Sequence, residues 1–179
     1  MWSNFLLQEF DKPTFEKLLD KLIEGLSKGK TFMPPIKSWF TDFTAVDPDN
    51  LKVVIVSKDL RYVQTMTQFN SPEELNKQGV MFFALGRTSI AGKTDLEDWR
   101  MFNIYFLDHL IATRKDIVYV FVGFEASDYS DLISDEEYGC KVFLPDYDHA
   151  IWNSPTLYQL FNKNINTLLN NREVDTINW

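Results

Sequence analysis

Few side chains in this chain could carry catalytic or metal chemistry. Among its 179 residues there are two histidines and one cysteine. Cys140 has no partner for an internal disulfide, and this set is too small for a structural zinc site. Asp59 and His149 stand out as acid–base candidates, although a turn or cap residue and an ordinary loop histidine are the plainer interpretations. We predict no metal and no cofactor.

The elements that would position these residues follow from the apolar pattern. Apolar residues recur at helical spacing over residues 5–26, with Asp11 and Pro13 placed like a helix start and Gly29 like a stop, which predicts one amphipathic helix there. Further helix-start signals stand at Ser71, Thr94 and Ser154. Four short apolar runs predict strands buried on both faces. They are Lys52–Val56, Val80–Phe83, Ile117–Val122 and Lys141–Leu144. This alternation predicts an α/β fold, with a four-stranded parallel sheet flanked by helices on both faces.

The predicted sheet directs attention to the four segments just after Val56, Phe83, Val122 and Leu144. In open α/β sheets, ligands bind beyond the carboxyl ends of the strands. The segment after the first strand contains Asp59, the segment after the second begins with Ala84, and His149 follows the last. We expect these segments to form the site.

The composition and length of the chain limit which kinds of protein it could be. The chain has 18 Lys and Arg against 26 Asp and Glu, a formal net charge of −8. This balance argues against strong non-specific binding of nucleic acid, which depends on Lys and Arg. The length fits a single domain over residues 1–179. With no membrane-spanning run and no targeting signal, we expect an intracellular protein of the cytoplasm, the nucleus or a virus-infected cell.

Eight short segments resemble, in the same order, motifs of the family 1 uracil-DNA glycosylases. They are Glu9–Phe15 ("EF-x-KPYF"), Phe32–Pro35 ("yPp"), Asp49–Val56 ("ddVKVVIL"), Gln78–Phe83 ("QGVLLL"), Thr88 with Gly92 ("LTV-x-x-G"), Gly123 with Ala126 ("WG-x-x-A"), Phe161–Asn166 ("HFskiN") and Ile177–Trp179 ("IDW"). The resemblance runs over almost the whole chain. It implies a uracil-DNA glycosylase-like fold.

The resemblance also implies a chemistry and its residues. The family flips a uracil nucleotide out of DNA and cleaves its glycosidic bond. An Asp orients water, an aromatic ring stacks on uracil, an Asn reads its edge and a His stabilises the departing anion. The corresponding positions are Asp59, Phe69 and Ala84, while the His falls at Pro145 or Tyr147, with His149 nearby.

Several of these positions depart from the family. Its motif Gly-Gln-Asp-Pro-Tyr-His reads Ser57-Lys58-Asp59-Leu60-Arg61-Tyr62 here. The Asp is retained, but Lys58, Arg61 and Tyr62 replace its Gln, Tyr and His, and an inward Arg61 could neutralise Asp59. The methyl group of Ala84 cannot read a pyrimidine. The implied pocket is therefore degenerate.

Three functions remain open at this stage. The preferred one is a catalytically inactive homologue that acts by binding, with a repair or replication protein as partner and only weak affinity for DNA. Poxvirus members of the family, which act as polymerase processivity subunits, set the precedent. The second is a divergent active glycosylase on uracil or a modified pyrimidine, using Asp59 with His149 or Tyr147. The third is a single-stranded DNA-binding module that stacks bases on Phe69 or Trp152.

Overall fold

Two sheets organise the chain. The computed structural model describes residues 2–60, 71–134, 140–145 and 154–179. Its strands are β1 (Phe32–Met33), β2 (Val53–Ser57), β3 (Val80–Ala84), β4 (Thr88–Ile90), β5 (Lys93–Asp95), β6 (Val118–Val122) and β7 (Lys141–Leu144). The larger sheet has the order β3-β2-β6-β7 and is parallel throughout, whereas the smaller has the order β1-β4-β5 and is antiparallel.

The parallel sheet confirms the four predicted strands. Every residue of β2, β3 and β6 is buried, as their continuous apolar runs predict. Ser57 pairs in register with Ala84 of β3 and with Val122 of β6. Strands β3, β2 and β6 therefore end together, and the segments that follow them leave from the same end of the sheet.

Each face of the sheet buries its own apolar layer. Side chains alternate along a strand, so Val54 and Val56 face one layer while Val53 and Ile55 face the other. The first layer is rich in aromatic rings from the N-terminal half of the chain. The second is covered largely by the last helix. Helices thus flank both faces, as predicted.

The helices begin and end mostly where local signals place them. They are α1 (Trp2–Phe10), α2 (Pro13–Ser27), α3 (Thr41–Ala45), α4 (Pro72–Lys77), α5 (Arg100–Thr113), α6 (Phe124–Ser127) and α7 (Pro155–Asn170). The Ser71 hydroxyl accepts a bond from the Glu74 backbone N–H at 3.2 Å and caps α4, which confirms that start. No helix in the described ranges is long and apolar enough to cross a membrane.

The predicted helix start at Asp11 and Pro13 is confirmed by α2, but the prediction of one continuous helix over residues 5–26 is wrong. The chain leaves the helical conformation between α1 and α2, where Lys12 is extended with ψ 141°. The residue before a proline avoids the α region, so Pro13 starts a new helix instead of continuing the old one.

The predicted helix start at Thr94 is also wrong. Thr94 pairs with Ser89 in the hairpin of β4 and β5, and α5 begins only at Arg100. The carboxylate of Asp95 accepts a bond from the Asp98 N–H at 3.2 Å, so the capping signal closes a turn between strand and helix. Pairing in the small sheet, which the sequence did not reveal, outweighs the local helix signal.

Candidate functional site

The segments after β2 and β3 run side by side beyond the sheet. The Leu85 N–H donates to the Ser57 carbonyl at 2.8 Å, and the Gly86 N–H donates to the Lys58 carbonyl at 3.0 Å. The Ser57 hydroxyl donates to the Asp59 carbonyl at 2.6 Å and closes the turn after β2. These bonds extend the parallel pairing by two residues and bring Asp59 beside the chain that follows Ala84.

Gly86 allows the small sheet to approach this edge. A Cβ atom at Gly86 would lie 2.0 Å from Thr94 Cγ2 and 3.2 Å from the Asp95 carbonyl oxygen. Any larger residue would push β5 away. The small sheet therefore packs directly against the segment after β3 and supplies a second wall for the site.

Asp59 and Ala84 line one open cavity of about 380 Å³. Its other walls include Met33 and Pro34 of the small-sheet side and the ring of Trp39, whose indole N–H donates to the Pro34 carbonyl at 2.9 Å. The volume lies within the ~300–1,000 Å³ typical of small-molecule sites. The arrangement can therefore hold a compact ligand at the carboxyl edge of the sheet.

A buried ion pair stands in the cavity wall. The Arg87 Nη1 donates to an Asp42 carboxylate oxygen and to the Trp39 carbonyl, both at 2.8 Å, and Nη2 lies 2.8 Å from the second carboxylate oxygen. The side chains of Arg87 and Asp42 are 2% and 7% exposed. The pair ties α3 to the segment after β3. The sequence offered one signal for it, a charged residue directly before Thr88, where the family motif has Leu.

Lys58, which directly precedes Asp59 in the chain, forms an ion pair with a residue of α6. Its Nζ donates to Glu125 of α6 at 2.6 Å, and this bond holds the pKa of the Glu125 carboxyl below its usual range. Glu125 lies between Gly123 and Ala126 at the end of β6. No local sequence signal indicates this pair, because its members are 67 residues apart.

The structure brings together some of the predicted site residues. Asp59 and Ala84 share the cavity, and Lys58 is adjacent to it in the chain. The remaining predicted residues, namely Arg61, Tyr62, Phe69, Tyr147 and His149, lie outside the described residues, as does Trp152. Within the described ranges, no group of three His, Cys, Asp or Glu side chains could hold a metal ion.

The chain is similar in sequence to uracil-DNA glycosylases. A uracil-DNA glycosylase of Francisella tularensis is 41% identical over 58 residues, which are 32% of this chain. That match spans about a quarter, 26%, of the Francisella tularensis protein's own length. A uracil-DNA glycosylase of Francisella philomiragia is 25% identical over 221 aligned positions that cover 99% of this chain and 98% of the relative. No family model matches the chain.

Solved structures with a similar fold include uracil-DNA glycosylases. The mimivirus enzyme superimposes with a TM-score of 0.78 at 16% identity, covering 99% of this chain and 85% of the mimivirus chain. A single-substitution variant of it, in complex with UGI, has a TM-score of 0.79 at 15% identity and covers 99% and 87% of the two chains. A Nitratifractor salsuginis variant has a TM-score of 0.56 at 13% identity. The fold is therefore that of these glycosylases.

Proposed function

Because this chain is a relative of the uracil-DNA glycosylases, we propose that it has kept their scaffold and lost base excision. It acts as a binding or regulatory protein in DNA repair or replication, through a protein partner. The whole of residues 1–179 serves this role as one domain. The relationship supports the biological setting, and the residues at the carboxyl edge support the loss of chemistry.

The observation that carries the proposal is Ala84 in the wall of the cavity. The resemblance assigns this position to the Asn that reads uracil. A side-chain amide supplies a donor and an acceptor at once, whereas a methyl group supplies neither. A site built to hydrogen-bond a substrate group rejects an analogue that lacks this group by factors of about 10⁴–10⁵, and a site without the polar side chain cannot discriminate in this way.

The neighbourhood of Asp59 supports the same conclusion. Lys58 replaces the Gln of the family motif and is bound to Glu125 at 2.6 Å. Leu60, which replaces the Pro of that motif, lines the cavity and is 45% exposed. The segment that would hold an attacking water therefore has a different backbone restraint and a different set of neighbours.

The charge of the chain favours a protein partner over DNA. The formal net charge is −8, and the loop that would approach the DNA backbone carries Asp146 and Asp148 in the sequence. Like charges repel phosphate and lower the rate of encounter with nucleic acid. A protein that works by binding under these conditions is expected to use a protein surface.

A base-release assay tests the proposal. Oligonucleotides that contain uracil or modified pyrimidines, single-stranded and duplex, are incubated with the purified protein, and the free base is quantified. We expect no release above the buffer control from the wild type, from Asp59→Asn or from Ala84→Asn. Release by the wild type that Asp59→Asn abolishes would refute the proposal.

Binding to a partner is tested separately. We expect a stoichiometric complex with a purified repair or replication protein in size-exclusion chromatography, unchanged by Asp59→Asn. Failure of every such protein to form a complex, with tight and salt-sensitive binding of labelled single strands instead, would favour the DNA-binding alternative.

A second function is favoured by one specific observation. The cavity is open and Asp59 is among the residues that line it, as a divergent glycosylase would require. In that alternative Asp59 orients water and His149 or Tyr147 acts at the leaving group. The same base-release assay decides between the two, because only the alternative predicts turnover.

A further inference from the structure

The parallel sheet has an open edge at β7. Among the described residues no strand follows β7 in the order β3-β2-β6-β7. The opposite edge strand, β3, is buried at every residue, whereas Phe143 in β7 is 54% exposed. An uncovered edge strand presents backbone N–H and C=O groups to which a strand of another protein can add.

The backbone of Phe143 points to this open edge. Along a paired parallel strand, every second residue bonds to the same neighbouring strand. The Tyr119 N–H donates to the Cys140 carbonyl at 2.8 Å, and the Gly123 N–H donates to the Leu144 carbonyl at 3.0 Å. The even-numbered residues of this segment therefore bond to β6. The N–H and C=O of Phe143 point away from β6.

The side chain of Phe143 offers an apolar contact at the same edge. Its ring stacks on Phe121, with the ring centroids 5.8 Å apart and an angle of 27° between the planes. Phe121 is fully buried, so Phe143 extends the aromatic layer to the surface. Phe124, 79% exposed, follows Gly123 and therefore lies beside the end of β7. A strand that adds here can place an apolar side chain against the Phe143 ring.

Lys141 does not protect this edge. A lysine on an edge strand usually discourages the addition of another strand. The Nζ of Lys141 instead donates to the Ile133 carbonyl at 2.8 Å and to the Ser130 carbonyl at 3.4 Å, so its ammonium group is bound by residues that precede β7. Pro145 directly follows β7 and has no N–H, which limits the pairing to a few residues. The edge therefore suits a short extended segment.

The sequence around β7 is strongly acidic. Residues 128–148, which contain β7, carry seven Asp and Glu and one basic residue, Lys141, in a chain with a formal net charge of −8. A second copy of the chain would bring the same negative charge to the edge, and DNA would bring phosphate. A protein segment that carries Lys and Arg is attracted instead.

We propose that a protein partner adds an extended basic segment to β7. The central residue of this segment lies opposite Phe143 in an antiparallel pair and exchanges two backbone hydrogen bonds with it. Its apolar side chain packs on the Phe143 ring, and Lys or Arg residues on either side of it supply the opposite charge. This inference rests on the proposed function, since it identifies the surface and the kind of partner through which the chain acts.

The test compares three nine-residue peptides. The first alternates Lys and Val around a central Phe, the second has Glu in place of every Lys, and the third is the first with an N-methyl group on the central Phe. Dissociation constants for the full chain are measured by fluorescence anisotropy. We expect the Lys peptide to bind at least about tenfold more tightly than either of the others. Equal affinities for the three peptides, or no saturable binding of the Lys peptide, overturns the inference.

Three variants locate the binding. Phe143→Pro removes the N–H that points away from β6 and is expected to abolish binding of the Lys peptide, because proline is tolerated on an edge strand at such a position. Phe143→Ala keeps the N–H and removes the ring, and we expect about tenfold weaker binding. Ile23→Ala on α2 is the matched control, since Ile23 is 61% exposed, and it should leave the affinity unchanged. Unaltered binding by Phe143→Pro with a native melting curve would overturn the location.

Amide hydrogen exchange decides the location if Phe143→Pro does not fold. In the wild type, a saturating concentration of the Lys peptide should slow exchange of the Phe143 amide at least about tenfold, because this N–H becomes hydrogen-bonded. Exchange of this amide at the same rate with and without the peptide would overturn the location.

The base-release assay separates this inference from the proposed function. A protein that releases no base and gains no protection at Phe143 overturns the inference about β7 and leaves the proposed function standing. A protein that releases a base and binds the Lys peptide at β7 overturns the proposed function and leaves β7 as a binding surface.

Discussion

The buried ion pair between Arg87 and Asp42 predicts a large loss of stability when one of its two partners is removed. Both side chains are more than nine-tenths buried, at 2% and 7% exposure, and the carboxylate is the only charged partner of the guanidinium among the described contacts. Replacing Asp42 by Ala leaves a buried cation with only the Trp39 carbonyl and the faces of aromatic rings. Removing one partner of a buried pair costs about 3–5 kcal/mol.

The size of the pair's net contribution follows from a double-mutant cycle. Attraction inside the protein is largely offset by the cost of taking two charges out of water, so replacing both partners by apolar residues is often nearly neutral. We expect Asp42→Leu/Arg87→Leu to lie within about 2 kcal/mol of the wild type, although each single change costs about 3–5 kcal/mol. At roughly 2–4 °C per kcal/mol for a chain of this size, each single variant should melt roughly 6–20 °C lower.

Urea unfolding, followed by far-ultraviolet circular dichroism, measures these differences. Glu24→Ala is the matched control, because its pair with Lys28 is exposed and should contribute less than about 1 kcal/mol. The reasoning is refuted if Asp42→Ala costs no more than this control. It is also refuted if the double variant loses the sum of the two single losses.

Three further predictions concern the surroundings of the site and the C-terminus. Burial raises the pKa of Asp95 to about 6 from an ordinary 3.8, so the ionised carboxylate destabilises the fold. The stability that the neutral carboxyl contributes is fully present below about pH 4 and is lost as the pH rises through 6. Asp95→Asn should therefore raise the melting temperature at pH 7 and leave it nearly unchanged at pH 4; an equal shift at both values contradicts this. Gly86→Ala should lower the free energy of unfolding in urea by about 1–3 kcal/mol, because the new Cβ would lie 2.0 Å from Thr94 Cγ2. Adding Thr94→Ser should restore part of this free energy, since Ser lacks the Cγ2 atom. Asn166→Ala removes both bonds, each 2.9 Å, to the backbone of Ile177 and should speed digestion by carboxypeptidase, whereas an unchanged rate would show that the tail is held by packing alone.

Local signals in the sequence were sufficient to predict the strands of the parallel sheet and several helix starts. The β-branched run ending at Val56 is continuously apolar, as is typical of strands buried on both faces, and it forms the inner strand β2. Ser71 followed by Pro72 starts a helix because the hydroxyl, the fixed proline φ and the next N–H groups are all within one turn. The motif order also predicts that Ala84 stands at the position of the family's Asn.

Local signals failed where a contact between distant segments decided the conformation. Thr94 carried a helix-start pattern and became part of a strand, because Ser89 and the rest of the hairpin supplied its backbone partners. Interactions of this kind depend on which segments the fold brings together, and propensity is too weak to oppose them.

The sequence by itself determined the fold class, and its resemblance to the family motifs predicts Ala84 at the position of the base-reading Asn and a degenerate first motif. Tertiary structure alone decided that Asp59 and Ala84 share a cavity and that Arg87 reaches Asp42, 45 residues away. The physical reason is one of range. Strand and helix signals depend on residues that are neighbours in the sequence. A cavity and a buried ion pair depend on the register of β2 with β3 and on the path of the chain between these strands.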